Sequence, residues 1–178
     1  MLRRANQAIP MSSVCVKCKL WCTHSVIANA SRPGSRSSMS ADVAPAKIND
    51  NDVESGTIYV LRSKSTRPEI AAIKDLYKIG FTVTSVESRI ANAKNEPTYL
   101  CADVEVVATW KVYNVKSSTF EALIHKLFAS VLLQVTVDGH RPKEWFIVPF
   151  RAVEEAVNAV ISGKSIEYNP QLQHIVYL

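Results

Sequence analysis

Residues 56–80, GTIYVLRSKSTRPEIAAIKDLYKIG, contain two short apolar segments, and each presents a tyrosine. Thr57-Ile58-Tyr59-Val60-Leu61 and Leu76-Tyr77-Lys78-Ile79-Gly80-Phe81 are rich in β-branched and aromatic residues and are bounded by turn or break signals, so each reads as a strand. The connection between them is too long for a tight hairpin and reads as an ordered insertion, with one helical turn expected over residues 70–75. Side chains alternate between the two faces of a strand, so a one-residue difference in register decides which polar groups share a face.

After this pair, Ser85 and Ser88 mark a helix start before VESRIANAK, with Glu87 in the first turn, where it suits the helix dipole. Val86, Ile90 and Ala93 fall on one face, Arg89 lies near its edge, and the helix is expected to stop before Pro97. VEVVATWKVY, residues 104–113, alternates with period two and supplies a third strand. Residues 117–133 form the strongest helical pattern, with Phe120, Leu123, Ile124, Leu127, Phe128 and Val131 on one stripe and Ser117, Ser118 or Thr119 as the expected cap. Glu121 and His125 are four apart and stack at the border of that stripe. Asp138-Gly139 signals a turn before a returning strand at Glu144-Trp145-Phe146, which reads as packing against the core. Val153 to Ile161 is a closing amphipathic helix, and residues 164–178 read as an extended tail on the domain. The expected fold is α+β, close to an α/β sandwich: a small, mainly antiparallel three-stranded sheet flanked by helices over residues 55–163.

Charge and composition bound the function. The net charge of +5 resides in residues 1–50, which hold seven basic and two acidic side chains; the other 128 residues hold fourteen of each. The folded region is neutral, so phosphate binding there needs a local patch. No apolar run approaches the ~18 residues of a membrane span. Residues 1–54 read as a disordered basic tail or an organellar transit peptide, because the first 41 residues hold no acid and combine arginines with many serines. The transit-peptide reading places the protein in the mitochondrion; the tail reading leaves the nucleus or cytoplasm. Cys15, Cys18, Cys22 and His24 are zinc-type ligands, but a single residue separates the last two and no further pair closes a knuckle. Cys101 reads as a small apolar residue.

The order of motifs, from Tyr59 and the YKIGFT strand through Arg89 to the FEALIHKLF helix and KEWF, resembles the GIY-YIG nuclease superfamily. Within it, the likeness is greatest to the phage-type DNA-binding and meiotically up-regulated branches, over residues 56–163. The resemblance implies a metal-dependent DNA endonuclease or nicking domain. Tyr59 would orient or deprotonate the attacking water, Arg89 would hold the scissile phosphate, and Glu121 would bind a divalent cation, Mg2+ or Mn2+. In-line displacement at a phosphodiester builds charge on phosphate oxygens, which a metal ion and a forked guanidinium neutralise. His125 joins Tyr59, Lys78 and Arg89 as a candidate catalytic residue.

Two departures from the superfamily pattern bear on catalysis. The first motif has its glycine displaced to Gly56, and Lys78 stands immediately before Ile79-Gly80, where the second tyrosine is usual. Tyr77, one residue earlier, is expected on the opposite face, which gives Lys78 the active face, where it can bind phosphate or lower a neighbour's pKa. The alternative function is a DNA-binding module of the same fold that has lost catalysis. Each candidate also has an ordinary structural alternative: a half-buried strand tyrosine, a solvated lysine, a surface arginine, a helix-dipole glutamate and a helix-edge histidine.

Overall fold

The computed structural model describes residues 52–178 apart from residue 115, together with the backbone of residues 29–31. The transit-peptide reading and the Cys15, Cys18, Cys22 and His24 cluster lie outside the described residues. In chain order the elements are β1 (Asn29–Ser31), β2 (Glu54–Ser63), α1 (Pro68–Ala71), β3 (Leu76–Thr82), α2 (Val86–Ile90), β4 (Val104–Tyr113), α3 (Ser117–Leu127), β5 (Trp145–Ile147), α4 (Phe150–Ile161), β6 (Ile166–Asn169) and β7 (His174–Tyr177). Among the described residues, no helix is long and apolar enough to cross a membrane.

The main sheet runs β1-β4-β2-β3-β5 and every pairing is antiparallel. Three strands were expected; residues 54–147 contribute four, and β1 adds a short one at the outer edge. The fourth, β5, is only three residues long, yet its alternation buries one large aromatic on each face. Trp145 joins Leu76, Leu100, Leu133 and Val137, while Phe146 joins the larger core with Tyr77 and Phe128. The Asp138-Gly139 turn forms as expected, with positive φ at both residues (48° and 79°). It closes only the Val137–His140 bridge. The returning strand pairs instead with β3, through Lys78↔Trp145 and Tyr77↔Phe146.

Alternation then assigns the layers. Ile58, Val60, Tyr77, Ile79, Phe81, Ala108, Trp110 and Val112 share one core with Phe120, Ile124 and Phe128 of α3 and with Ala152, Val153, Ala156 and Val157 of α4. Burying an aliphatic or aromatic side chain of this size contributes about 1.5–3 kcal/mol, so the α3 stripe alone accounts for why that helix docks. The opposite face holds Tyr59 and Leu61, covered by Val86, Ala93 and Tyr99. With helical cover on one face and shorter turns on the other, every residue of β3 is buried.

Several boundaries differ from the sequence reading. The helical turn in the insertion forms at Pro68–Ala71, where proline occupies the first helical position. Helix α2 ends at Ile90 and gives way to single 3-10 turns at Ala93–Asn95 and Pro97–Tyr99. Helix α3 ends at Leu127, and its N-cap is Lys116, with no side-chain cap bond. Residues 166–177 are a hairpin rather than a simple extended tail: Ile166, Tyr168 and Ile175 enter the main core.

Candidate functional site

The register of the first two long strands builds the site. Tyr59 lies opposite Gly80, and Leu61 lies opposite Lys78. Tyr59 and Lys78 therefore share a face, and Tyr77 points to the other core, where its hydroxyl accepts a bond from Arg62 at 2.8 Å. The Tyr59 ring lies directly over Gly80: a Cβ there would come within 2.5 Å of both its Cζ and its hydroxyl oxygen. Glycine in the second motif is thus a seat for the tyrosine of the first.

Helix α2 carries Arg89 to the rim of this face. Its start is capped by the Ser85 side chain, which accepts from the Ser88 amide at 3.1 Å, and Val86 anchors it below. Arg89 itself is exposed. The chain then turns through Pro97–Tyr99 and passes Leu100 and Cys101 in the left-handed region (φ 62° and 51°). That turn delivers Thr98 and Tyr99 inward. The Trp145 indole donates to the Thr98 carbonyl at 3.0 Å, and the Tyr99 hydroxyl donates to the Arg89 carbonyl at 3.1 Å.

Lys78 has no exposed surface. Its ammonium donates to the Glu144 carboxylate, has the Thr98 hydroxyl at 3.5 Å, and lies 5.0 Å from the Tyr99 ring centroid. The Arg89 guanidinium carbon lies 5.9 Å from the same centroid. Aromatic faces attract cations at such distances, so Tyr99 is shared by both.

Electrostatics follow from this enclosure. Burial pushes the Tyr59 hydroxyl well above the ordinary phenol value; Tyr99 adds to the shift and the Arg89 charge opposes it. Burial likewise raises Tyr99. Lys78 is lowered by burial, against the pull of the Glu144 carboxylate; Arg89 lowers it further and Glu121 raises it. Both tyrosines stay neutral hydroxyls, and Arg89 and the Glu144 carboxylate, whose side chain is 33% exposed, face solvent.

The structure gathers Tyr59, Lys78 and Arg89 around Tyr99, while Glu121 lies half-buried on α3, the helix that packs on the opposite core. Of the two expected roles of Lys78, enclosure with no exposed surface leaves no place for a phosphate contact; its ammonium meets the Glu144 carboxylate and the Tyr99 ring instead. His125 stands apart, its ring 5.6 Å from that of Phe146 in the core that holds Tyr77. The sequence reading missed Thr98 and Tyr99, which belong to a turn recognised only as a helix stop. It also placed Glu144 in the packing of the closing strand, whereas its side chain pairs with Lys78. The one available signal was proline before Thr98-Tyr99, which marks the turn without giving its direction.

Among the described residues, no group of three or more His, Cys, Asp or Glu side chains forms a metal-ligand cluster. Magnesium, however, is commonly held by one or two carboxylates, with water and substrate phosphates completing its shell. Glu121, half-buried on α3, offers one carboxylate.

The sequence profile of the T5orf172 domain matches residues 56–161, which span β2 to the end of α4 and contain the whole cluster. The chain belongs to the T5orf172 domain family. This is a phage-type, nuclease-associated domain family. The chain is also similar to "Uncharacterized protein YeeC" of Bacillus subtilis (strain 168), with 42% identity over 142 residues, which cover 77% of this chain and 37% of the relative. It thus spans about a third of that relative's length. No solved structure matches.

Proposed function

We propose that this T5orf172 domain is a GIY-YIG-type nuclease that binds DNA and nicks or cuts its phosphodiester bonds. The observation that supports the reading is the convergence of Tyr59, Arg89 and Lys78 with the Glu144 carboxylate on one sheet face. Arg89 is the exposed cation and forks onto two phosphate oxygens. Tyr59, held neutral by burial, orients the attacking water through its oxygen. Glu144 is the carboxylate within the cluster that can take up the water's proton, and Lys78 balances its charge from beneath. Glu121 would hold a divalent cation, Mg2+ or Mn2+; when bound, such an ion neutralises charge developing on the phosphate.

Incubation of the purified chain with supercoiled and branched DNA in Mg2+ or Mn2+ tests this reading. Nicking is expected for the native chain and is lost in Arg89→Ala and Glu121→Ala. Cleavage that persists in Glu121→Ala would mean contamination and sink the proposal.

A second reading is a DNA-binding module of the same fold without catalysis. The enclosed Lys78, ion-paired at the position of the second motif tyrosine, favours it. Salt-dependent binding with no nicking in any divalent metal decides for this alternative.

A further inference from the structure

The hydroxyl of Tyr99 has a forced direction. It donates to the Arg89 main-chain carbonyl at 3.1 Å, and a carbonyl oxygen only accepts, so its single proton is committed. Its oxygen is left to accept, and Tyr59 packs beside it in the same buried cluster.

We propose that Tyr99 is the positioning residue of this site, fixing through its hydroxyl the end of the helix that bears Arg89 and through its ring the Arg89 side chain. The two positive-φ residues that follow it and the Trp145 bond to Thr98 hold the turn in place. The ring, buried with no exposed surface, lies against the Lys78 and Arg89 cations. Arg89, the exposed cation, is thereby held where it can donate to a phosphate. This role rests on the DNA-binding reading above, and it does not depend on whether catalysis occurs.

A double-mutant cycle in DNA affinity tests it, using the full chain, a short labelled duplex and one fixed salt concentration. Tyr99→Phe keeps the ring and removes the hydroxyl. It is expected to weaken binding about three- to tenfold, the scale of one hydrogen bond. In the Arg89→Ala background the same change is expected to matter less than about twofold, because the group it positions is gone. Equal weakening in both backgrounds, or native affinity for Tyr99→Phe alongside weakened Arg89→Ala, overturns the role. If Tyr99→Phe fails to fold, Tyr99→His, which keeps a ring and an N–H donor, must show the same coupling to Arg89. Arg89→Ala binding as tightly as the native chain rejects the DNA reading itself, and this role with it.

Discussion

Replacing Glu144 with alanine leaves the Lys78 ammonium buried with no carboxylate bonded to it. Lys78 has no exposed surface, and Glu144 is its direct ionic partner. Removing one partner of a fully buried pair costs about 3–5 kcal/mol. The Glu144 side chain is 33% exposed, and solvent screening of its half of the pair brings the expected loss to roughly 2–3 kcal/mol at pH 7. For a domain of this size that is a fall in melting temperature of roughly 6–12 °C. The pH dependence identifies the cause. The folded-state pKa of Lys78 is below that of the free side chain, so between the two values the unfolded chain binds more protons and stability rises with pH. Glu144→Ala lowers the folded value further and widens that window. The gap between variant and native protein should therefore narrow as pH is raised from 7 toward the free lysine value of about 10.4. Thermal melts across that range are the assay. Lys78→Met combined with Glu144→Ala should recover most of the loss, because a well-packed apolar replacement of a buried pair is often neutral. A loss that stays constant with pH, or that the double variant deepens, refutes the reasoning.

Gly80→Ala should destabilise the domain by about 1–3 kcal/mol through overpacking against Tyr59, and in a Tyr59→Ala background that cost should vanish in equilibrium unfolding. Tyr77→Phe should leave DNA affinity and any nicking unchanged, whereas Tyr59→Phe should reduce nicking; equal effects in a plasmid assay would contradict the assignment of faces. Arg89→Ala should flatten the salt dependence of DNA binding by about one unit of slope, as expected for the loss of one phosphate contact. Affinity measured over a series of salt concentrations reads this directly.

Residues whose role follows from local period were legible in the sequence. Alternation in the first two long strands separated Tyr77 from Lys78, and the structure puts them on opposite faces. The stripe on α3 and the serine cap of α2 also follow local rules. Tyr99, Thr98 and Glu144 were not legible, because each reaches Lys78 or Arg89 through a turn whose direction depends on what it packs against. A sequence can mark the turn at Pro97 or at Asp138-Gly139, but only the closed core decides that one delivers Tyr99 beneath Arg89 and that the chain after the other runs beside β3. The burial of Lys78 is of the same kind. Its strand and its face were fixed by residue spacing, while its isolation from water required a second strand, a second turn and a carboxylate 66 residues away to meet over it.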